Sequence, residues 1–79
     1  MLQLRPSCEC CDTDLPNEST GARICTFECT FCSTCADQKL NGVCPNCAGE
    51  LVTRPRRPAG KLAQFPASIK RVFRPQGCA

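Results

Sequence analysis

The chain contains no histidine, no tryptophan and no tyrosine. Without histidine it has no Ser-His-Asp or Cys-His catalytic arrangement, no histidine-bearing zinc site and no imidazole pH switch. Phenylalanine, with four residues, is the only aromatic type, so an aromatic-rich sheet that stacks RNA bases is not expected. Long apolar runs are missing too. No stretch approaches the roughly 20 residues that a membrane-spanning helix needs. Met1-Leu2-Gln3-Leu4-Arg5-Pro6 lacks the basic start and apolar run of a secretory signal. A cytoplasmic location with no membrane partner is therefore expected. At 79 residues the chain is short for a large catalytic cleft, and a domain of this size usually needs a staple. No small-molecule substrate is expected.

The abundant residue is cysteine, ten in 79. In a reducing compartment such cysteines bind metal more often than they form disulfides, which are the alternative. Eight of them fall in four pairs: Cys8 and Cys11, Cys25 and Cys29, Cys32 and Cys35, Cys44 and Cys47. The first and last pairs share the frame C-x2-C-x3-L, ending at Leu15 and at Leu51. This is the pattern of a zinc knuckle, a tight turn whose backbone N–H groups point at thiolates. The shared frame selects Cys11, not Cys10, as the partner of Cys8. Gly49 is expected to relieve the second turn. Cys10 reads as a spare surface thiol, and Cys78 as a free one near the terminus.

Between the knuckles, residues 22–27 read as a strand and residues 27–31 as its turn and return. Ser33 or Thr34 is placed to cap a helix running to about Leu40, stopped by Asn41-Gly42. That helix start carries Cys32 and Cys35. Residues 51–53 read as a second short strand. The composition changes at about residue 53, which divides a domain of residues 1–53 from an extension of residues 54–79. Residues 1–51 hold three basic and seven acidic side chains, net −4, whereas residues 52–79 hold seven basic and none acidic, net +7. Prolines at 55 and 58 make the start of this extension extended. Between Pro66 and Pro75 a helical turn or two is expected, with Ile69, Val72 and Phe73 on one face. The basic extension is expected to lie partly against the acidic head, fixed by those apolar residues.

Ten sizeable apolar side chains in residues 1–53 make a thin core, and a structural zinc adds about 10–16 kcal/mol of apparent folding free energy. All-thiolate ligation selects zinc or an iron–sulfur cluster over calcium and magnesium. The run Cys29-x2-Cys32-x2-Cys35 is followed by Cys44-Pro45 at an interval of eight rather than three residues, which separates it from ferredoxin motifs. Asp12-Thr13-Asp14 lacks the rest of a calcium loop.

The ordered ligand pairs over residues 8–47, with Phe31-Cys32 and the closing Cys44-Pro45-Asn46-Cys47, resemble the RING finger. That resemblance implies a small α+β, RING-like treble clef with a cross-brace of two all-cysteine zinc sites. Carried over, the first site is Cys8, Cys11, Cys32 and Cys35, and the second is Cys25, Cys29, Cys44 and Cys47. This pairing ties the helix start to the first knuckle, which two sequential zinc modules would not do. Departures from the RING pattern are Cys29 at a usual histidine position, Cys10 at a usual apolar position and Ala48 where a basic residue is common. Ubiquitin-ligase activity is therefore not expected. From Leu4-Arg5-Pro6 through Cys44–Leu51 to Pro66–Arg71, the chain is also similar to the small bacterial proteins grouped as domain of unknown function 1272. That similarity implies a cytosolic zinc-binding protein without assigned activity.

Closed four-cysteine sites leave no open position for substrate, so two structural zinc ions and no enzyme are expected. The function that fits is a protein-interaction or adaptor module with an unknown protein partner. One alternative is a nucleic-acid-binding accessory protein acting through Arg54, Arg56, Arg57, Lys70 and Arg71. A further one is a redox- or zinc-responsive thiol protein.

Overall fold

The computed structural model describes residues 1–78. Ala22-Arg23-Ile24 alternates buried, half-buried, buried, the period of two that a one-sided sheet requires. It forms β1 (Ala22–Ile24), which pairs antiparallel on one side with β2 (Thr30–Cys32) and on the other with β3 (Val52–Thr53). The register sets Ala22 opposite Cys32, Ile24 opposite Thr30 and Arg23 opposite Thr53.

The first strand stops before the expected residue 27 because Cys25 turns the chain. Its sulfur accepts from the Phe27 N–H at 3.3 Å, and its carbonyl accepts from the Glu28 N–H at 3.1 Å. Helix α1 (Ser33–Gln38) follows β2 directly. Its N-cap is Cys32, not Ser33 or Thr34, since Cys32 is still extended and its sulfur accepts from the Cys35 N–H at 3.5 Å. The helix ends at Gln38, short of Leu40. Asn41 and Gly42 both adopt positive φ there, which satisfies the final carbonyls: the Cys35 oxygen takes the Leu40 N–H and the Ala36 oxygen takes the Gly42 N–H.

Phe31, Leu15, Ala22 and Ala36 are buried in one cluster with most of the paired cysteines, and Leu4 and Ile24 are buried as well. The apolar core and the cysteine clusters are thus one continuous interior.

The extension differs from the sequence expectation in three ways. A short helix α2 (Ala59–Leu62) follows Pro58 where no apolar periodicity announced one. Residues 66–74 contain no regular element where a helical turn was expected. Their polar groups reach the head instead: the Ser68 N–H donates to the Gln3 carbonyl and the Arg74 N–H to the Glu9 carbonyl, both at 2.8 Å. Of the three expected apolar anchors two are exposed, Ile69 at 93% and Phe73 at 54%, while Val72 is half-buried. The contact is polar, and Arg71 forms ion pairs with Asp12 and Asp14 at 3.2 and 2.8 Å. Among the described residues no helix is long and apolar enough to cross a membrane.

Candidate metal centre

The two C-x2-C-x3-L segments fold alike. In the first, the Asp12 N–H donates to the Cys8 carbonyl and the Cys8 N–H to the Thr13 carbonyl, both at 2.9 Å. In the second, the Ala48 N–H donates to the Cys44 carbonyl and the Cys44 N–H to the Gly49 carbonyl, both at 2.8 Å. Each turn is closed by a bridge, Ser7 with Asp14 and Val43 with Glu50. Each places its left-handed residue directly after the second cysteine: Asp12 at φ 62° and Ala48 at φ 64°. The strained position is therefore Ala48 and not Gly49. Gly49 eases a close approach, since a Cβ there would stand 3.3 Å from the Cys47 sulfur.

These turns bring Cys8 and Cys11 to the start of α1, where Cys32 and Cys35 sit. The four sulfurs lie within 4.8 Å of one another. Cys11 and Cys32 are 3.7 Å apart. The edge of a tetrahedron of thiolates about 2.3 Å from a zinc ion is about 3.8 Å, so this spacing fits a shared metal. Cys32 is paired with Ala22 at the start of β1, whereas Cys25 follows its end, and the sulfurs of Cys25, Cys44 and Cys47 lie within 4.8 Å of one another. Cys29 stands beside Cys25 and Cys44 but does not meet that limit with all three. Two cysteine groups that could hold metal ions are thus present, one of four sulfurs and one of three with a fourth adjacent. The thiolate donor set suits zinc or iron and not the hard cations.

The electrostatics of each group oppose one another. Burial pushes the Cys8 thiol up, outweighing the backbone N–H groups that face its sulfur. Burial, with the neighbouring Cys32 and Cys11 thiols, pushes Cys35 well above the usual range. Burial likewise raises Cys44 and Cys29. Cys11 is the exception: the Thr13 hydroxyl, 3.0 Å from its sulfur, lowers it to about 6. Cys25 is also lowered, because the N–H groups of Phe27 and Cys29 outweigh its burial. Each group therefore combines a thiol whose ionisation is favoured, Cys11 or Cys25, with thiols that burial keeps protonated, a condition a divalent cation relieves.

Cys10 lies outside both groups. Expected as a spare surface thiol, it is 7% exposed and disulfide-bonded, because the knuckle turns its side chain inward while Cys11 faces solvent. The Cys78 thiol, expected to be free, lies outside the described side chains.

The basic residues of the extension divide by environment. Arg54 is 2% exposed, and its guanidinium donates to the carbonyls of Arg5, Leu15 and Pro16 at 2.8, 3.0 and 3.3 Å. Arg57 donates to the carbonyls of Leu2 and Phe65 at 2.6 and 2.7 Å. Arg71 is committed to the acidic loop of the first knuckle. Arg56 and Lys70 are exposed. Arg54 is the residue that sequence reasoning placed wrongly in kind: it is an internal clamp across the base of the first knuckle. No charge pattern marks it out from Arg56.

No solved structure matches the chain. An uncharacterized protein of Rhizobium meliloti (strain 1021) is 67% identical over 79 residues, covering 100% of this chain and 94% of that protein. The family model described as "Protein of unknown function (DUF1272)" matches residues 1–57, a span holding both cysteine groups and the Arg54 clamp, and the chain belongs to that family.

Proposed function

We propose that the protein is a non-enzymatic, cytoplasmic interaction module whose fold is set by two structural zinc ions. One zinc would be held by Cys8, Cys11, Cys32 and Cys35, the other by Cys25, Cys29, Cys44 and Cys47, in a RING-like, cross-braced treble clef. The observation that carries this reading is the interleaving of the two groups. Ligand pairs one and three converge in one group, and Cys25 with pair four converges in the other. Cys29, next to Cys25 and Cys44, needs only a small shift to complete the second set. Four thiolates fill a zinc coordination sphere, so neither ion would offer a position to substrate or water.

The adaptor role is supported by apolar side chains turned outward around this frame. Phe27 on the β1–β2 turn is 71% exposed, Val52 on β3 52% and Val43 beside the second knuckle 47%. Native mass spectrometry of the purified chain tests the metal content, with a gain of two zinc ions expected. Affinity capture from the native organism, comparing the unaltered chain with Phe27→Ser, tests the role. A partner retained by the first and lost by the second supports it. One zinc, a coloured cluster, or identical capture profiles would count against it.

A further inference from the structure

Glu9 stands inside the first knuckle, between Cys8 and Cys11, and is 2% exposed. A buried carboxylate is tolerated only when its oxygens are satisfied. The partners of Glu9 come from segments far apart in the chain. Oε2 accepts from the Thr30 N–H at 3.1 Å and from Arg5 Nη1 at 3.4 Å. Oε1 accepts from Asn46 Nδ2 at 3.1 Å. The Glu9 N–H in turn donates to the Thr30 carbonyl at 2.9 Å. Thr30 directly follows Cys29, and Asn46 lies between Cys44 and Cys47. One side chain on the knuckle of the first group therefore grips two segments that deliver cysteines of the second. The Asn46 side chain also lies against Cys29.

We infer that Glu9 couples the two cysteine centres, its two carboxylate oxygens fixing the Cys29–Thr30 peptide and the Asn46 amide so that metal loading at one centre raises affinity at the other. The inference rests on reading both groups as metal sites. Glu9 is a positioning residue: it acts through Thr30 and Asn46 and supplies no ligand. Metal in the first centre immobilises the Cys8–Cys11 turn and with it the Glu9 backbone. The carboxylate then holds the second knuckle already oriented, and less freedom is lost when the second ion binds. Such coupling is reciprocal.

The test is a zinc-affinity cycle on the full chain. Cys11→Ser disables the first centre, and competition with a chromogenic chelator measures zinc at the second. The same pair of measurements is made with Glu9→Gln and with Asn46→Ala. Gln keeps the shape of Glu9 but loses its charge and leaves one acceptor oxygen where three donors, from Thr30, Arg5 and Asn46, converged on two. Disabling the first centre is expected to weaken the second about tenfold or more when Glu9 is present. Glu9→Gln alone is expected to weaken the second centre about 10–100-fold, after which Cys11→Ser weakens it by less than about threefold further. Asn46→Ala, at an exposed position, trims only the far end of the bridge and decides the matter if Glu9→Gln does not fold. It is expected to lose part of the coupling. Equal losses from Cys11→Ser in all three backgrounds overturn the coupling while leaving both sites standing. An unaltered chain that takes up no zinc overturns the sites themselves.

Discussion

Replacing Arg54 with methionine should be the most damaging single change in the extension. The guanidinium makes two short hydrogen bonds, to Arg5 and Leu15 carbonyls at 2.8 and 3.0 Å, and a longer one to Pro16 at 3.3 Å. A hydrogen bond from a charged donor is worth about 1.5 kcal/mol at the low end. Counting only the two short bonds gives about 3 kcal/mol, and methionine recovers some packing but leaves buried carbonyls without a donor. In a domain of this size each kcal/mol moves Tm by about 4–8 °C, so the loss should be at least about 12 °C. The assay is thermal unfolding followed by circular dichroism at one fixed free-zinc concentration, because bound metal adds its own stabilisation. Arg54→Lys should lose most of the same amount, since an ammonium keeps the charge but not the planar fork. Arg56→Met, at an exposed position, is the control and should leave Tm within about 2 °C. A Tm shift for Arg54→Met as small as that of the control would refute the clamp and return Arg54 to the pool of surface cations.

Four further outcomes are expected. Native mass spectrometry should find one zinc lost in Cys11→Ser and none lost in Cys10→Ser, since Cys10 is disulfide-bonded and outside both groups; the reverse result would invalidate the knuckle alignment. Zinc uptake near pH 7 should release protons, because burial holds Cys8, Cys35 and Cys44 protonated without metal. Zinc affinity should therefore rise with pH and fall in acid, and an indicator dye in weak buffer that registers no proton release would contradict this. Ala48→Gly should raise stability by about 0.5 kcal/mol, as the left-handed cost of about 1 kcal/mol or more at φ 64° outweighs the extra chain entropy of glycine; a lower Tm would speak against strain at that turn. Arg71→Ala should lower Tm slightly in dilute buffer and not in high salt, because its ion pairs with Asp12 and Asp14 are exposed; a salt-independent loss would mean that packing, not charge, holds the extension.

The frame ending at Leu15 and Leu51, and the grouping of Cys8 and Cys11 with Cys32 and Cys35 and of Cys44 with Cys47, were legible because covalent spacing limits how a turn can present two sulfurs, whereas Cys29 stands outside the group that holds Cys25. The stop at Asn41-Gly42 was legible for a similar reason, since left-handed backbone favours those residues. The extension was not. Ile69, Val72 and Phe73 suggested a helical face, but backbone hydrogen bonds from Ser68 and Arg74 to the head hold the segment away from helix. Local periodicity carries no information about such distant partners. Cys32 as the N-cap was missed because hydroxyl side chains stand at the next two positions and a sulfur is a weaker acceptor than an oxygen. Arg54 and Glu9 were invisible as buried charges, since composition assigns both to the surface. The only sequence signals are positional: Glu9 is a charged residue inside a ligand pair, and Arg54 stands at the junction of β3 and a proline run.

The interleaved order of the cysteines also makes the chain indivisible. A break between Cys11 and Cys25 parts the first pair from Cys32 and Cys35, and a break between Cys35 and Cys44 parts Cys25 from the second knuckle. Each of these breaks divides one set and leaves the other whole, and a break between Cys25 and Cys32 divides both, so no cut between Cys11 and Cys44 leaves two complete sets of ligands. The same order imposes a sequence of events on the emerging polypeptide. The first group cannot close until Cys35 has left the ribosome, and by then Cys25 and Cys29 are already enclosed between its ligands. The second group waits for Cys47, twelve residues later. A nascent chain that met metal early would hold it with an incomplete or mismatched set of thiolates, so correct loading would favour capture after Cys35 and Cys47 have emerged.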